Sequence, residues 1–204
     1  GEFIGALFAF ALSDGIGRKV TLMYTCIAST LSLLWYSLAA SADSILSARF
    51  FVGLFLGTLL TICPVYLAEI SAAGTRGFNV GILSLQMVLG GLLAVFCFYL
   101  LQNYSFGWRV SLILPSLLLV LEAVVLFFLP DSPRWTLAER TPAKCLQVMR
   151  QLRRTPEVSK EFNEVYRALT ADAKLGHDWV DLFTTKSIFL RLILVSVLQF
   201  ITFI

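Results

Sequence analysis

The chain alternates between long apolar stretches and short polar links. One stretch without a charge runs from Phe50 to Ala68, and a helix of about nineteen residues crosses the roughly 30 Å hydrocarbon layer of a bilayer. Similar stretches predict further membrane helices, the last of them only beginning, at residues 1–12, 20–42, 78–101, 110–129 and 187–204. The pattern predicts an all-α membrane protein.

Small residues recur within these stretches at the spacing of one helix face. They are Gly1 and Gly5, Gly53 and Gly57, and Gly77 and Gly81. The stretch after Gly77 also contains Gly90 and Gly91. Such faces let helix backbones approach closely in a membrane. Pro64 interrupts the stretch from Phe50 to Ala68, and a broken helix persists in lipid only where neighbours or a cavity satisfy the freed carbonyl. We therefore expect this helix to line a cavity.

Composition agrees with a membrane location. The sequence is 58% apolar with a mean hydropathy of +0.82, more than a soluble domain of this size buries. The chain lacks an initiator Met and both ends fall in apolar runs, so we interpret it as a fragment of a longer protein. Its four cysteines have no paired spacing, which argues against a disulfide framework or a metal site. We expect no cofactor.

Charge sets the orientation. Successive links alternate between the two membrane faces, so links 13–19 and 69–77 share one side with segment 131–186, and this side carries most of the Lys and Arg. Links 41–44 and 102–108 lie opposite. By the positive-inside rule the first side is cytoplasmic. Asn103 then begins an outward-facing glycosylation sequon, although an acceptor this close to a membrane is usually unused.

Segment 131–186 differs from the rest. Thr141–Pro142 and Thr155–Pro156 are helix-start signals, and apolar residues then recur at helical spacing, namely Leu146, Met149, Leu152, Val158, Phe162, Val165, Tyr166 and Leu169. A shorter piece carries Trp179, Leu182 and Phe183. The mixed charge of the polar faces favours packing beneath the bundle over lying in the headgroups. His177 is interpreted as a solvated loop residue without a role.

Three motifs carry a family resemblance. Asp14-Gly-Ile-Gly-Arg-Lys19 resembles the D-R-x-G-R-R/K loop of the major facilitator superfamily. Arg49, Pro64-Val-Tyr-Leu-Ala-Glu69 and Arg76-Gly77 resemble the R...PxYxxE...RG pattern of its sugar porter branch, and Pro130-Asp-Ser-Pro-Arg-Trp135 resembles the P-E-S-P-R-[WY] signature. The resemblance implies helices 2–6 of an N-terminal bundle at 1–130, an intracellular helical domain at 131–186 and the start of helix 7 at 187–204.

The resemblance also implies a cytoplasmic gate made of charged helix ends. Its residues would be Asp14, Gly17, Arg18, Lys19, Glu69, Arg76, Asp131 and Arg134. Ion pairs between helix ends close the inner side in one conformation and break in the other. The alternative is ordinary surface ion pairing, which contributes little. Charge reversal at Glu69 or Arg76 is expected to impair transport without lowering surface expression.

Substrate residues follow from the resemblance with departures. The family's fifth-helix glutamine falls on Ser84, and Gln86 lies about 200° further around the helix, so it is not a simple substitute. Met87 and Gly91 fall where the family lines its site. In the last span Gln199 is kept but Phe200 replaces the second glutamine. These departures preserve the fold and alter the expected selectivity.

Glu122 lies in the middle of a predicted span. An acid at that depth is expensive and often marks an ion or proton path. We favour a protonated or hydrogen-bonded Glu122 at a helix contact, with a proton path as the alternative.

The function implied is transport of a hexose or related polyol by alternating access, as uniport or proton symport, in the plasma membrane. The partners are then a sugar or polyol, the lipid bilayer and, for symport, protons, without nucleic acid. Alternatives are a carrier for an inositol or organic ion, and a non-transporting sugar sensor. A membrane enzyme is disfavoured because the sequence has no nucleophile with a base, ligand cluster or phosphate loop.

Overall fold

The computed structural model describes residues 1–155 and 158–175, together with 189–191, 193, 194 and 197. The helices, in chain order, are α1 (Glu2–Ile16), α2 (Arg18–Leu38), α3 (Ala42–Ile70), α4 (Arg76–Leu101), α5 (Gly107–Phe128), α6 (Pro133–Glu139), α7 (Pro142–Arg153) and α8 (Ser159–Leu175). Four of these described helices, α2 to α5, are long and apolar enough to cross a bilayer. The predicted all-α membrane architecture is therefore confirmed.

Residues 1–158 form one compact unit, and α8 belongs to a second. In the first unit α2 packs against both α3 and α5, and α1 packs along α3. The core lies where these helices meet, and its buried residues are Ala9, Leu22, Cys26, Leu59, Ile62, Tyr66 and Leu126. The short helices α6 and α7 pack on each other. In the second unit the rings of Phe162 and Tyr166 stack on one stripe of α8.

The close packing of α1 on α3 depends on the small residues. A Cβ added at Gly57 would clash with the carbonyl oxygen of Glu2, and one added at Gly5 would clash with the carbonyl oxygen of Leu54. Both atoms would lie far inside the van der Waals contact distance. Thr58 uses this approach to donate a hydrogen bond to the Gly5 carbonyl oxygen at 3.2 Å. The glycine faces predicted for these two helices are therefore confirmed.

The glycines of α4 behave differently. An added Cβ at Gly77, Gly81, Gly90 or Gly91 would meet nothing within 4 Å. None of the residues of α4 is buried among the described elements. Most of this helix is therefore an open face, with α3 and α5 on its other side.

Three boundaries differ from the sequence expectation. The predicted polar link at 13–19 is wrong in extent. Helix α1 continues to Ile16 and α2 begins at Arg18, so Gly17 is the only non-helical residue between these two helices. Helix α6 was not predicted, although Ser132 caps it and Pro133 occupies its first turn. Helix α8 begins at Ser159, later than the predicted start at Thr155–Pro156; Pro156 lies outside the described residues.

Other expectations also fall outside the described residues. They are the loop residue His177, the short piece with Trp179, Leu182 and Phe183, and the site residues Gln199 and Phe200.

Candidate functional site

Charged side chains from three helix ends meet at one end of the bundle. The Arg18 guanidinium, at the start of α2, lies 2.9 Å from the Asp14 carboxylate of α1. Its Nε lies 3.4 Å from Oε2 of Glu69, near the end of α3. The Arg18 and Glu69 side chains are 16% and 12% exposed, whereas Asp14 is 65% exposed. The Arg18–Glu69 pair is therefore shielded from water, and shielded pairs are costly to break by removing one partner.

Ser132 extends this pairing to a fourth helix. Its hydroxyl donates a short hydrogen bond to Oε2 of Glu69 and accepts one from the backbone N–H of Trp135, capping α6. Ser132 is 1% exposed. We call Asp14, Arg18, Glu69 and Ser132 the charge cluster. It joins the ends of α1, α2, α3 and α6.

Each ion in the charge cluster lies at the unfavourable end of its own helix. Asp14 and Glu69 are in the last turns of α1 and α3, where the helix dipole is negative, and Arg18 opens α2, where it is positive. Helix formation alone therefore does not favour these charges, and their pairing offsets the dipole cost. Local rules are broken in this way chiefly at functional sites.

The turn between α1 and α2 is fixed by Gly17 and Trp135. Gly17 has φ 106° and ψ 146°, a conformation that essentially only glycine adopts. The Trp135 ring covers it, since a Cβ added to Gly17 would lie 3.1 Å from two ring carbons. Trp135 Nε1 also donates to the backbone oxygen of Asp14 at 3.0 Å. Helix α6 thereby holds the turn that presents Asp14 and Arg18.

Tyr66 makes a second connection between α3 and the segment before α6. Its hydroxyl donates to the Pro130 carbonyl oxygen at 2.7 Å, and the residue is 4% exposed. This bond places the α3 end, with Glu69 one turn further on, beside Ser132.

Replacing Tyr66 with phenylalanine should lower the thermal stability of the full-length protein in detergent, because the Pro130 carbonyl loses its donor. The expected cost is about 1 kcal/mol. The control is Tyr24→Phe on α2, at a residue that is 67% exposed, and it should leave the melting temperature unchanged. Equal melting temperatures for the two variants would contradict the role given to the Tyr66 hydroxyl.

Cationic side chains bond the carbonyls at the ends of α3 and α5. Arg76 Nε donates to the Ala68 oxygen at 2.9 Å, and Arg153 Nη1 to the Ile70 oxygen at 2.9 Å. Lys19 Nζ donates to the Phe127 oxygen at 3.0 Å. Cations favour the negative end of a helix dipole. These bonds bring α7 and the first turns of α2 and α4 to the same end of the bundle.

Asp131 and Arg134, the remaining predicted gate residues, flank Ser132 at the start of α6, with Asp131 half-buried and Arg134 exposed. Helix α7 is anchored on α6 by Cys145, whose Sγ contacts the Pro133 oxygen at 3.4 Å. Burial raises the pKa of the Cys145 thiol to about 11, so it remains a neutral packing group at physiological pH.

Three of the predicted gate residues form ion pairs with one another. Asp14, Arg18 and Glu69 pair directly, and Gly17 provides their turn. Ser132, Tyr66 and Trp135 were not predicted as contributors, although all three stand inside the family motifs. The signal for Ser132 was its place before Pro133, which is a helix N-cap and first-turn pattern.

The predicted substrate residues on α4 share its open face. Ser84, Met87 and Gly91 are spaced three and four apart and are exposed. Gln86 instead lines a cleft with α3 and α5, as its angle around the helix indicates. Gln86 is thus turned away from the three predicted substrate residues.

The sequence matches known transporters. The family model described as "Sugar (and other) transporter" matches residues 1–204. The chain is 30% identical over 186 residues to the facilitated glucose transporter member 12 of solute carrier family 2 from Xenopus laevis, covering 91% of this chain and 31% of that protein. It is 32% identical over 206 residues to the arabinose-proton symporter of Escherichia coli K12, covering 98% of this chain and 43% of that protein.

Solved structures show the same fold. A partially occluded inward-open conformation of the xylose transporter XylE from E. coli superposes with a TM-score of 0.77 at 18% identity, covering 84% of this chain and 46% of that one. A double-tryptophan variant of XylE gives a TM-score of 0.78 at 18% identity, covering 88% and 43%. The chain thus spans less than half the length of these curated relatives and structures.

Proposed function

The chain belongs to the sugar transporter family of the major facilitator superfamily, and from this membership we propose that the full-length protein carries a hexose or related polyol across a membrane. Transport would proceed by alternating access, in which substrate binding shifts the balance between outward- and inward-open states. No covalent bond would be made or broken, so the protein would not be an enzyme, and it would need no cofactor.

The observation that carries this proposal is the charge cluster. The charge cluster ties four helix ends together through a shielded ion pair, and in this proposal it forms in one conformation and breaks in the other. In the formed arrangement it would close the cytoplasmic side. Lys19, Arg76, Asp131 and Arg134 would complete this gate around the cluster.

The substrate site would lie on the open face of α4. Ser84 offers a hydroxyl to a sugar hydroxyl, while Met87 and Gly91 offer an apolar surface to the ring face. By the family resemblance, Gln199 and Phe200 of the last predicted span would also contribute to it. A serine and a phenylalanine in place of two glutamines provide fewer amide contacts than the family pattern, which favours a substrate recognised partly through apolar contact.

The domain division proposed from the sequence follows from the same family membership. Residues 1–130 would form helices 2–6 of the N-terminal bundle, 131–186 the intracellular helical domain, and 187–204 the start of helix 7. The chain is an integral, multi-pass membrane protein, and we place it in the plasma membrane. Its partners would be a sugar or polyol and lipid, with protons if it is a symporter.

Uptake by the full-length protein in proteoliposomes tests the proposal. The substrates are labelled hexoses, pentoses, polyols, inositol and organic ions, each assayed with and without a protonophore. Saturable uptake of a sugar or polyol is expected, and its loss with a protonophore would identify symport. Transport restricted to organic ions, or sugar binding without flux, would contradict the proposal in favour of another carrier or a sensor.

A further inference from the structure

A cleft of about 390 Å³ between α2, α3, α4 and α5 contains one carboxyl group, that of Glu122. Glu122 lies in the middle of α5, and the walls of the cleft are otherwise mostly leucine, isoleucine and valine. The cleft lies among helices that cross the membrane. An acidic side chain at this depth calls for either a partner or a function.

Glu122 lacks a structural partner within the part of the chain that the structure describes. Its carboxyl group makes no hydrogen bond or ion pair there, and no Lys or Arg lines the cleft. The groups facing it are Cys63 and Tyr66 from α3 and the neutral Gln86 from α4, with Cys26 of α2 within electrostatic range. The Tyr66 hydroxyl already donates to Pro130. None of these groups supplies a positive charge at neutral pH.

An ionised Glu122 would therefore be a desolvated anion without a counter-ion. Such an ion costs several kcal/mol, so the protonated, neutral carboxyl group is the less costly form here. A buried structural carboxyl group is normally hydrogen-bonded or paired. Glu122 instead lines open space that has room for water, so the carboxyl group can exchange its proton once water enters.

The cleft extends from Glu122 toward the end of α3 that carries Glu69 of the charge cluster. Along α5 it is lined by Val125, Leu126 and Leu129, and along α3 by Leu67 and Ile70, which flank Glu69 in the last turn. From Glu122 to Leu129 is two helical turns, about 10 Å. The residues at the cytoplasmic end of the cleft are thus the neighbours of the proposed gate, and opening that gate would admit water to the carboxyl group.

We propose that Glu122 is a proton-binding site whose occupancy is linked to the gate. With the charge cluster formed, the carboxyl group holds its proton. When the cluster breaks, water enters the cleft and the proton leaves the carboxyl oxygen for that water, so the carboxylate form accompanies the inward-open state. The proposal rests on the transport function proposed above and adds a proton to its conformational cycle.

Sugar exchange by the full-length protein in proteoliposomes tests the linkage. Exchange is measured with the same pH on both sides, so that no gradient drives it, over a series of pH values. Glu122→Gln mimics the protonated form and should lose the pH dependence seen in the wild type. Glu139→Gln, on the exposed end of α6, is the matched control and should keep it. A wild-type pH profile in Glu122→Gln, or no pH dependence in the wild type, would overturn the proposal.

A second measurement stays informative if Glu122→Gln does not transport. Infrared difference spectra of the purified protein, recorded between low and high pH, should contain the C=O stretch of a protonated carboxylic acid that is absent from Glu122→Gln and present in Glu139→Gln. Identical bands in all three proteins would overturn the proton site. Sugar exchange by the wild type would then still support the transport function, so the two ideas fail separately.

Discussion

Replacing Glu69 with glutamine should reduce sugar uptake by the full-length protein about tenfold or more, with the amount of protein in the membrane unchanged. The substitution leaves the 16% exposed Arg18 guanidinium without its shielded anion and weakens the bond from Ser132. Losing one partner of such a pair destabilises the closed inner gate by a few kcal/mol. Each 1.4 kcal/mol shifts the equilibrium between the closed and open states about tenfold. The protein would remain inward-open and bind external sugar poorly.

Two other variants separate this effect from a general change of charge. Glu139→Gln makes the same substitution at an exposed position of α6 and should leave uptake unchanged. Reversing Arg76 should also impair uptake, but less, since the Arg76 side chain bonds the Ala68 carbonyl and water can replace it there. Equal uptake by Glu69→Gln and Glu139→Gln would contradict the gate assignment.

Replacing Gly17 with alanine should destabilise the protein by about 1–3 kcal/mol, because the φ of 106° is strained for any residue with a Cβ. The new methyl group would also lie only 3.1 Å from carbons of the Trp135 ring. The ring cannot easily move away, because its Nε1 donates to the Asp14 backbone oxygen and the Arg140 guanidinium lies 5.6 Å from its centre. A lower melting temperature in detergent and reduced uptake are both expected.

Gly15→Ala is the matched control for this prediction. Gly15 is two residues away in the last turn of α1, and an added Cβ there meets nothing within 4 Å. Alanine is also the better helix former, so this variant should be as stable as the wild type or slightly more so. Melting temperatures that fall equally in both variants would contradict the special role of Gly17.

The membrane helices could be predicted from sequence because a run of apolar residues is a sufficient signal. Four predicted spans correspond to α2 to α5, and the predicted glycine faces of α1 and α3 do meet. Pro64 and Pro115 lie inside helices, so local propensity alone would have placed breaks there. In a membrane the cost of unsatisfied backbone keeps such helices intact.

Pairing at the site could not be predicted from sequence to the same degree. The motifs named Asp14, Arg18 and Glu69, but the observed contacts depend on how α1, α2, α3 and α6 are placed in space. Ser132 joins them through the N-cap of a seven-residue helix, too short to give a periodic signal. The single-residue turn at Gly17 was likewise hidden, because polar residues at the end of a membrane helix look like a loop in the sequence.

The most direct test of the gate uses the accessibility of the cavity it would close. Ser84→Cys is introduced into the full-length protein after its reactive native cysteines have been replaced, and is treated with a membrane-impermeant maleimide from the cytoplasmic side. Protection of the new cysteine by saturating sugar would show that it lies in the cavity. Arg18→Gln and Glu69→Gln should each speed the labelling about tenfold, and the double variant no more than either alone, because both break one shielded pair. Unchanged labelling rates, or effects that multiply in the double variant, would contradict a gate formed by Arg18 and Glu69.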